Sequence, residues 1–228
     1  IWKITMDNSL IKFSQRKIRK NYRSITGHFP SIKNNTSIGF ESKLEKAHFL
    51  SLEFDNEVIS YQEQPQVEIC INGKDKIYSA DCYIKRAKTS LKKDSIVEVK
   101  YTNEIEKRKD YFEKKFEAAK TSVNKLNFDF EVYTEKIHSE IYLDNLDFLY
   151  RYKLQPIENK YEDQILATII NKNNKISAFD LANLISKNPI EYGLISNCIW
   201  DLVCKEKLKT NLELSKITMN SLVELSYE

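Results

Sequence analysis

The spacing of the apolar residues changes near "LYRYKLQP", residues 149–156. Before this stretch, short segments alternate apolar and polar side chains, as half-buried strands do. After it, apolar residues recur at helical spacing in three successive segments. This change of period predicts an α/β first domain, residues 41–150, followed by a small, mostly helical domain, residues 155–228.

The first domain is predicted to contain four strands and two long helices. Residues 41–54 form an amphipathic helix. The strands are "VISYQEQPQVEICI", with a bulge or edge position at Pro65, and then "IYSADCYIK", "SIVEVKY" and "FDFEVYT". A charged helix, about residues 104–125, separates the last two strands. This order predicts a right-handed βαβ unit on a mixed sheet.

The second domain has the sequence outline of a winged helix-turn-helix, with three helical segments and a β-like ending, "TNLELSKITMNSLVEL". Its ten basic residues are balanced by ten acidic ones between Arg151 and Glu228. DNA binding and protein interaction therefore both remain open, as does a domain that only buries its own core. Ile199, Trp200 and Val203 are predicted to be core residues. Cys198 and Cys204 are predicted to be buried without a redox role.

Composition excludes several classes of protein. The four cysteines form no CxxC pair and the three histidines are scattered, so a zinc site and a disulfide framework are not expected. With four glycines, the chain contains neither a Walker loop nor a GxGxxG turn. No apolar run of 18 residues and no signal-type segment occur. We therefore expect a cytoplasmic protein without a membrane partner.

Residues 1–40 form a predicted basic arm. No acidic residue lies between Asp7 and Glu41, whereas basic residues are frequent there. Such a segment is either a solvated charge run or a phosphate-binding surface. The interleaved Phe13, Tyr22 and Phe29 favour a partly ordered segment. The predicted DNA-binding residues are Arg16, Lys17, Arg19, Lys20, Arg23 and Lys33.

The strand "SIVEVKY", residues 95–101, carries two charges among apolar residues. Side chains two positions apart on a strand leave the same face, so Glu98 and Lys100 point together. An edge strand with one face in water would explain this pattern, and so would a simple ion pair. A third explanation is a functional site.

The functional explanation rests on Asp81, which lies in the middle of the preceding predicted strand. A hairpin would bring it beside Glu98, and two carboxylates in an apolar sheet favour a cation between them. Mg²⁺ prefers hard oxygen ligands, so both carboxylates and the Val99 carbonyl are candidate ligands, with Mn²⁺ as a substitute. Glu45 on the first helix is a candidate for a second metal. Lys100 would face the attacking water or the phosphate.

These residues, in order, resemble the PD-(D/E)xK nucleases, which have a restriction-endonuclease-like fold. The longer segments "RKIRKNYRSITGHFPSIKN", "FESKLEKAHFLSLEFDNEVISYQEQP", "YSADCYI", "VEVKY" and "FEVYTEKIH" resemble the N-terminal domain of the TnsA family. TnsA proteins are the endonuclease subunits of heteromeric cut-and-paste transposases. The resemblance extends from about Phe13 to His138. It departs from the family at Ala80, where most members have proline.

The resemblance implies cleavage of the 5′ strands at transposon ends. It also implies three partners: double-stranded DNA, a TnsB-type DDE transposase and a TnsC-type AAA+ ATPase. The implied catalytic residues are Glu45, Asp81, Glu98 and Lys100, with Gln64 as site support. Glu41 and Glu53, also on or beside the first helix, are expected to face solvent or a basic neighbour.

Two other functions remain open. A stand-alone restriction or junction-resolving nuclease of the same fold would cut without partners. A non-catalytic DNA-binding adaptor would use the winged helix and keep the first domain as a scaffold. The presence of Asp81, Glu98 and Lys100 together argues against the adaptor.

Overall fold

The computed structural model describes residues 11–13, 25–172 and 174–226. The chain divides into two units between Ile137 and His138. This division lies earlier than the predicted one, which ended the first domain at residue 150. The helix Glu140–Leu154 accounts for the difference, because it packs against a helix of the second unit.

The first unit alternates strands with helices, as predicted for an α/β domain. Its helices are α1 (Lys43–Phe54), α2 (Thr102–Lys107) and α3 (Lys109–Lys125). Its strands are β1 (Lys12–Phe13), β2 (Gly27–Ser31), β3 (Thr36–Phe40), β4 (Val58–Glu63), β5 (Pro65–Ile71), β6 (Lys74–Ser79), β7 (Cys82–Arg86), β8 (Ser95–Val99) and β9 (Asp129–Tyr133).

The central sheet has the strand order β4-β7-β8-β9. Strands β8 and β9 are parallel, and the other neighbours are antiparallel. The predicted β-helix-β connection on a mixed sheet is therefore confirmed. The connecting helix is divided into α2 and α3 at Arg108, whose φ of −133° and ψ of 40° are not helical.

Two predicted strands are each divided between two sheets. "VISYQEQPQVEICI" breaks at Gln64, whose positive φ of 55° ends β4 before β5 begins. "IYSADCYIK" breaks at Ala80 and Asp81, between β6 and β7. Strands β5 and β6 form a separate sheet with β1, whereas β4 and β7 belong to the central sheet. The prediction that Asp81 lies in the middle of a strand is therefore wrong.

The two breaks lie beside each other. The Gln64 N–H donates to the Asp81 carbonyl at 3.2 Å, and the Ala80 N–H donates to the Pro65 carbonyl at 3.0 Å. Both chain segments thus pass from one sheet to the other at the same place, with their backbone groups paired.

Helix α3 packs against β5 and β9 through an apolar stripe. Ala119 and Val123 are fully buried and belong to one core cluster with Val67, Tyr83 and Ile96. Each CH₂ group removed from water contributes about 0.8 kcal/mol. This burial fixes the position of α3 relative to the strands.

The second unit consists of helices and one small antiparallel sheet. Its elements are α4 (Glu140–Leu154), α5 (Glu162–Ile170), β10 (Lys175–Ser177), α6 (Ala178–Ile185), α7 (Pro189–Cys204), β11 (Leu208–Lys209) and β12 (Leu222–Leu225). The sheet has the strand order β10-β12-β11. Asn188 caps the start of α7, and Pro189 follows at the first helical position as expected.

The predicted core of the second unit is confirmed. Ile199, Trp200 and Val203 are at most 8% exposed. Cys198 and Cys204 are buried free thiols, and burial raises the pKa of Cys204 to about 11. In the described residues, no helix is both long and apolar enough to cross a membrane.

Asn145 ties α4 to the end of the chain. Its side chain is buried and donates to the carbonyls of Leu212 and Ser215, at 2.9 and 2.8 Å. It also accepts a 2.8 Å hydrogen bond from the Ile217 N–H. One side chain thus satisfies three backbone groups that local secondary structure leaves unpaired.

Replacement of Asn145 should therefore destabilise the second unit. We expect Asn145→Ala to lower the free energy of unfolding by about 3 kcal/mol, because buried backbone groups lose their partners. Urea unfolding of the full chain measures this change. The exposed Asn220→Ala is the matched control, and equal stability of the two variants would contradict the role of Asn145.

Candidate functional site

Asp81 lies where β7 meets the end of β8. Its N–H donates to the Val97 carbonyl at 3.0 Å, and its carbonyl accepts the Gln64 N–H. Its carboxylate Oδ2 accepts a 2.7 Å hydrogen bond from the Val99 N–H. The predicted neighbourhood of Asp81 and the "SIVEVKY" strand is therefore confirmed, although the residue occupies a bend rather than a strand centre.

Glu98 is almost completely buried, with 3% of its surface exposed. Strand β8 lies between β7 and β9, so the explanation by a water-exposed edge strand is wrong. Lys100 follows directly after β8, and its side chain is 28% exposed. Its Nζ lies 4.0 Å from Glu98 Oε1, which agrees with the expectation that the two side chains point together.

Two residues outside the predicted site contact Glu98. The Tyr78 hydroxyl donates to Glu98 Oε2, and the Lys115 Nζ lies 3.1 Å from Oε1. Burial and the Glu98 carboxylate raise the pKa of Tyr78, so its hydroxyl remains a donor. The sequence contains a signal for Lys115, because it stands on the core-facing stripe of α3, three residues after Phe112 and four before Ala119.

Glu45 performs a structural task at the start of α1. Its Oε1 accepts from the Ser42 hydroxyl at 2.8 Å, and its Oε2 accepts from the Glu41 N–H at 3.0 Å. The Ser42 hydroxyl in turn accepts from the Glu45 N–H at 3.1 Å. This reciprocal arrangement is a variant of the capping box, in which the Glu41 N–H takes the place of the N-cap N–H, and "ESKLE" encodes it locally. A capping role therefore accompanies the predicted ligand role.

The carboxylates of the site affect one another. Burial, followed by the Glu98 carboxylate, raises the pKa of Asp81 to about 7, and the Glu45 carboxylate adds to this shift. Burial also raises the pKa of Glu45, whereas the Lys100 ammonium lowers it. Glu45, Asp81, Glu98 and Lys100 thus share one electrostatic environment, as the sequence predicted.

The carboxylate and carbonyl oxygens of the site are the ligand type that a hard divalent cation prefers. A cation would offset the repulsion between Asp81 and Glu98. The carbonyl and N–H of one strand residue point to the same neighbouring strand, so the Val99 carbonyl points to the side of Asp81. Among the described residues, however, no group of three or more His, Cys, Asp or Glu side chains is arranged to hold a metal ion. Both Glu98 oxygens already have protein partners.

Gln64 contacts the site through its backbone. Its N–H fixes the Asp81 carbonyl, and its left-handed φ turns the chain at the break between sheets. The Gln64 backbone thus holds the bend at Asp81, and the predicted role of Gln64 as site support stays a prediction.

The predicted DNA-binding residues Arg16, Lys17, Arg19, Lys20 and Arg23 lie outside the described residues. Lys33 is described, and its ammonium donates to the carbonyls of Asp55 and Val58. These bonds hold the β2–β3 turn against the end of α1. DNA binding by these residues stays a prediction.

Glu53 does not face solvent, which was one of the two alternatives expected for it. It is 1% exposed and accepts hydrogen bonds from the hydroxyls of Ser31 and Tyr61, at 2.6 and 2.8 Å. Its position on the buried face of α1 explains the difference.

Part of the chain matches the model of a protein family. Residues 55–135 match the family model described as the TnsA-like endonuclease N terminal. This segment is TnsA-like. It contains the Gln64–Pro65 break, Asp81, Glu98 and Lys100, whereas Glu45 precedes it. The match covers about a third of the chain and begins later than the resemblance seen in the sequence. A comparison with curated proteins gives no match.

The matched segment brings two acids and a lysine together at one end of β8. The matched family is described as an endonuclease, so residues 55–135 are similar to a nuclease domain.

The raised pKa of Asp81 predicts that stability depends on pH. In the unfolded chain this group loses its proton near 3.8, whereas the folded protein keeps it until about pH 7. The folded state then binds more protons between these values, so the free energy of unfolding falls as pH rises from about 4 to 7. We expect a fall on the order of 2 kcal/mol, allowing for the partial exposure of the group.

Urea unfolding at a series of pH values, without divalent cations, measures this fall. Asp81→Asn should flatten the profile, because it removes the titrating group. The exposed Asp110→Asn should keep the wild-type profile. Parallel profiles for the wild type and Asp81→Asn would refute the assignment.

Substitutions at Gln64 distinguish its backbone role from a side-chain role. A β-branched residue is strained at positive φ, so Gln64→Val should lower the free energy of unfolding by about 1–2 kcal/mol. Gln64→Gly should cost less, because glycine adopts this conformation without strain. Gln66→Val is the control on β5, where valine suits a strand. Equal losses for Gln64→Val and Gln64→Gly would point to the side chain instead.

Proposed function

We propose that this chain is the Mg²⁺-dependent endonuclease subunit of a heteromeric transposase and that it cuts the 5′ strands at transposon ends. The observation that carries the proposal is the meeting of Asp81, Glu98 and Lys100 at one end of β8 within a TnsA-like segment. An acid oriented by a backbone N–H, beside a second acid and a partly exposed ammonium, suits phosphodiester hydrolysis.

Asp81, Glu98 and the Val99 carbonyl would hold the metal ion, with Glu45 available for a second one and Mn²⁺ as a substitute. When bound, Mg²⁺ supplies the Lewis acidity that activates water and offsets charge on the phosphate. The Val99 N–H orients Asp81 for this task. The Lys100 ammonium binds the scissile phosphate and stabilises the charge that develops on it.

The proposed partners are transposon-end DNA, a TnsB-type DDE transposase and a TnsC-type AAA+ ATPase, in the cytoplasm of a bacterium beside the nucleoid. The second unit is the proposed winged-helix-like module that docks on DNA or on one of these proteins. The order of α5, β10, α6, α7, β11 and β12, with a three-stranded antiparallel sheet, supports this assignment. The basic arm is the proposed contact to the DNA backbone.

Strand-resolved mapping of cuts tests the proposal. The assay uses DNA with the element's ends, the cognate transposase and ATPase, and Mg²⁺. We expect Asp81→Asn and Lys100→Met to reduce the 5′-strand cuts by at least about 100-fold and to leave the 3′-strand cuts intact, because each variant removes a group from the site.

Asp110→Asn and Lys120→Met are the matched controls, since both positions lie exposed on α3. Undiminished 5′ cutting by Asp81→Asn would make the first unit a scaffold and favour the DNA-binding adaptor. Cutting by the purified chain without its partners would favour a stand-alone nuclease.

A further inference from the structure

Two lysines approach the same oxygen of Glu98. Lys115 Nζ lies 3.1 Å from Oε1, and Lys100 Nζ lies 4.0 Å from it. Since Oε1 lies on a carboxylate that is only 3% exposed, a nearby positive charge is strongly favoured. The shorter distance makes Lys115 the closer ion-pair partner.

The surroundings of Lys115 hold its ammonium in this position. It lies over the Tyr78 ring at 4.5 Å from the centroid, and 5.9 Å from the centroid of Phe112. Cation–π attraction in a partly desolvated place adds to the ion pair. The side chain of Lys115 is 19% exposed, compared with 28% for Lys100. Tyr78 thereby contacts both members of the pair, because its hydroxyl also donates to Glu98.

We propose that Lys115 is a positioning residue that neutralises Glu98 and so keeps the Lys100 ammonium available for the scissile phosphate. This inference rests on the proposed nuclease function. If Lys115 is removed, Lys100 remains as the ammonium within 4.0 Å of Glu98 among the described residues. Because the lysine side chain is flexible, its Nζ can then move closer to Glu98 Oε1. The catalytic lysine would then be held by Glu98 and turned from the substrate.

The first test measures Lys100 itself, without DNA or metal. Limited acetylation of the native full chain in a chelator, followed by peptide mass spectrometry, gives the labelling rate of each lysine. We expect Lys115→Met to slow the labelling of Lys100 about threefold, because its long ion pair with Glu98 would tighten. Lys114→Met is the matched control, since Lys114 is the exposed neighbour on α3 and should leave Lys100 unchanged.

A Glu98→Gln background makes the test specific. In this variant Glu98 has no carboxylate with which Lys100 could form an ion pair. Adding Lys115→Met to it should therefore leave the labelling rate of Lys100 unchanged. This double variant also avoids an unpaired buried charge, which protects the test if Lys115→Met alone fails to fold. Lys115→Arg keeps the positive charge and should keep Lys100 labelling near the wild-type rate.

The second test measures strand-resolved cutting by the assembled complex. We expect Lys115→Met to slow the 5′ cuts about tenfold and Lys115→Arg to restore most of that rate, because charge stabilisation by Lys100 is impaired and then recovered. Lys114→Met should cut at the wild-type rate.

The two tests separate two kinds of failure. If the wild-type complex does not cut 5′ strands, the proposed function fails, whereas the labelling result still decides the position of Lys100. Equal Lys100 labelling in Lys115→Met and Lys114→Met would overturn the positioning role, whatever the cutting rates. Slower labelling in Lys115→Met that persists in the Glu98→Gln background would overturn it as well.

Discussion

The site depends on the place where two chain segments change sheets side by side. Strand β4 gives way to β5 at Gln64, and β6 gives way to β7 at Asp81. The hydrogen bond from the Gln64 N–H to the Asp81 carbonyl joins the two breaks. Because the Asp81 N–H also pairs with Val97, the bend is fixed against β8. At this bend the Asp81 carboxylate accepts from the Val99 N–H, whereas the side chain of a strand residue projects from the face of the sheet.

This arrangement is electrostatically unfavourable, because it places carboxylates close to one another. Glu98 is buried and Asp81 and Glu45 are half-buried, and burial raises the pKa of both Asp81 and Glu45. Protein groups offset part of the cost at Glu98, where Tyr78 and Lys115 each contact one oxygen. Lys100, more exposed and farther from Glu98, retains more freedom. Acids whose pKa is shifted by burial and by neighbouring charges are concentrated at functional sites of proteins.

The same residue types play structural roles elsewhere in the chain. Glu53 is as buried as Glu98, and the hydroxyls of Ser31 and Tyr61 donate to it, which ties α1 to β2 and β4. Asn145 fulfils a similar task in the second unit. Burial alone therefore does not mark an acid as functional. The interest of Glu98 lies in its position, because two ammonium groups and the Asp81 carboxylate are close to it.

The sequence by itself determined the α/β character of the first unit, the βαβ connection, the core of the second unit and the set formed by Asp81, Glu98 and Lys100. These features follow from local periodicity and from motif spacing, which are written in consecutive residues. Only the tertiary structure decided that two apparent strands divide between sheets, because alternation continues across a single left-handed residue such as Gln64. It also placed α4 with the second unit through the long-range bonds of Asn145. The contact between Lys115 and Glu98 likewise joins positions that local patterns do not relate, since it arises from the packing of α3 across the strands.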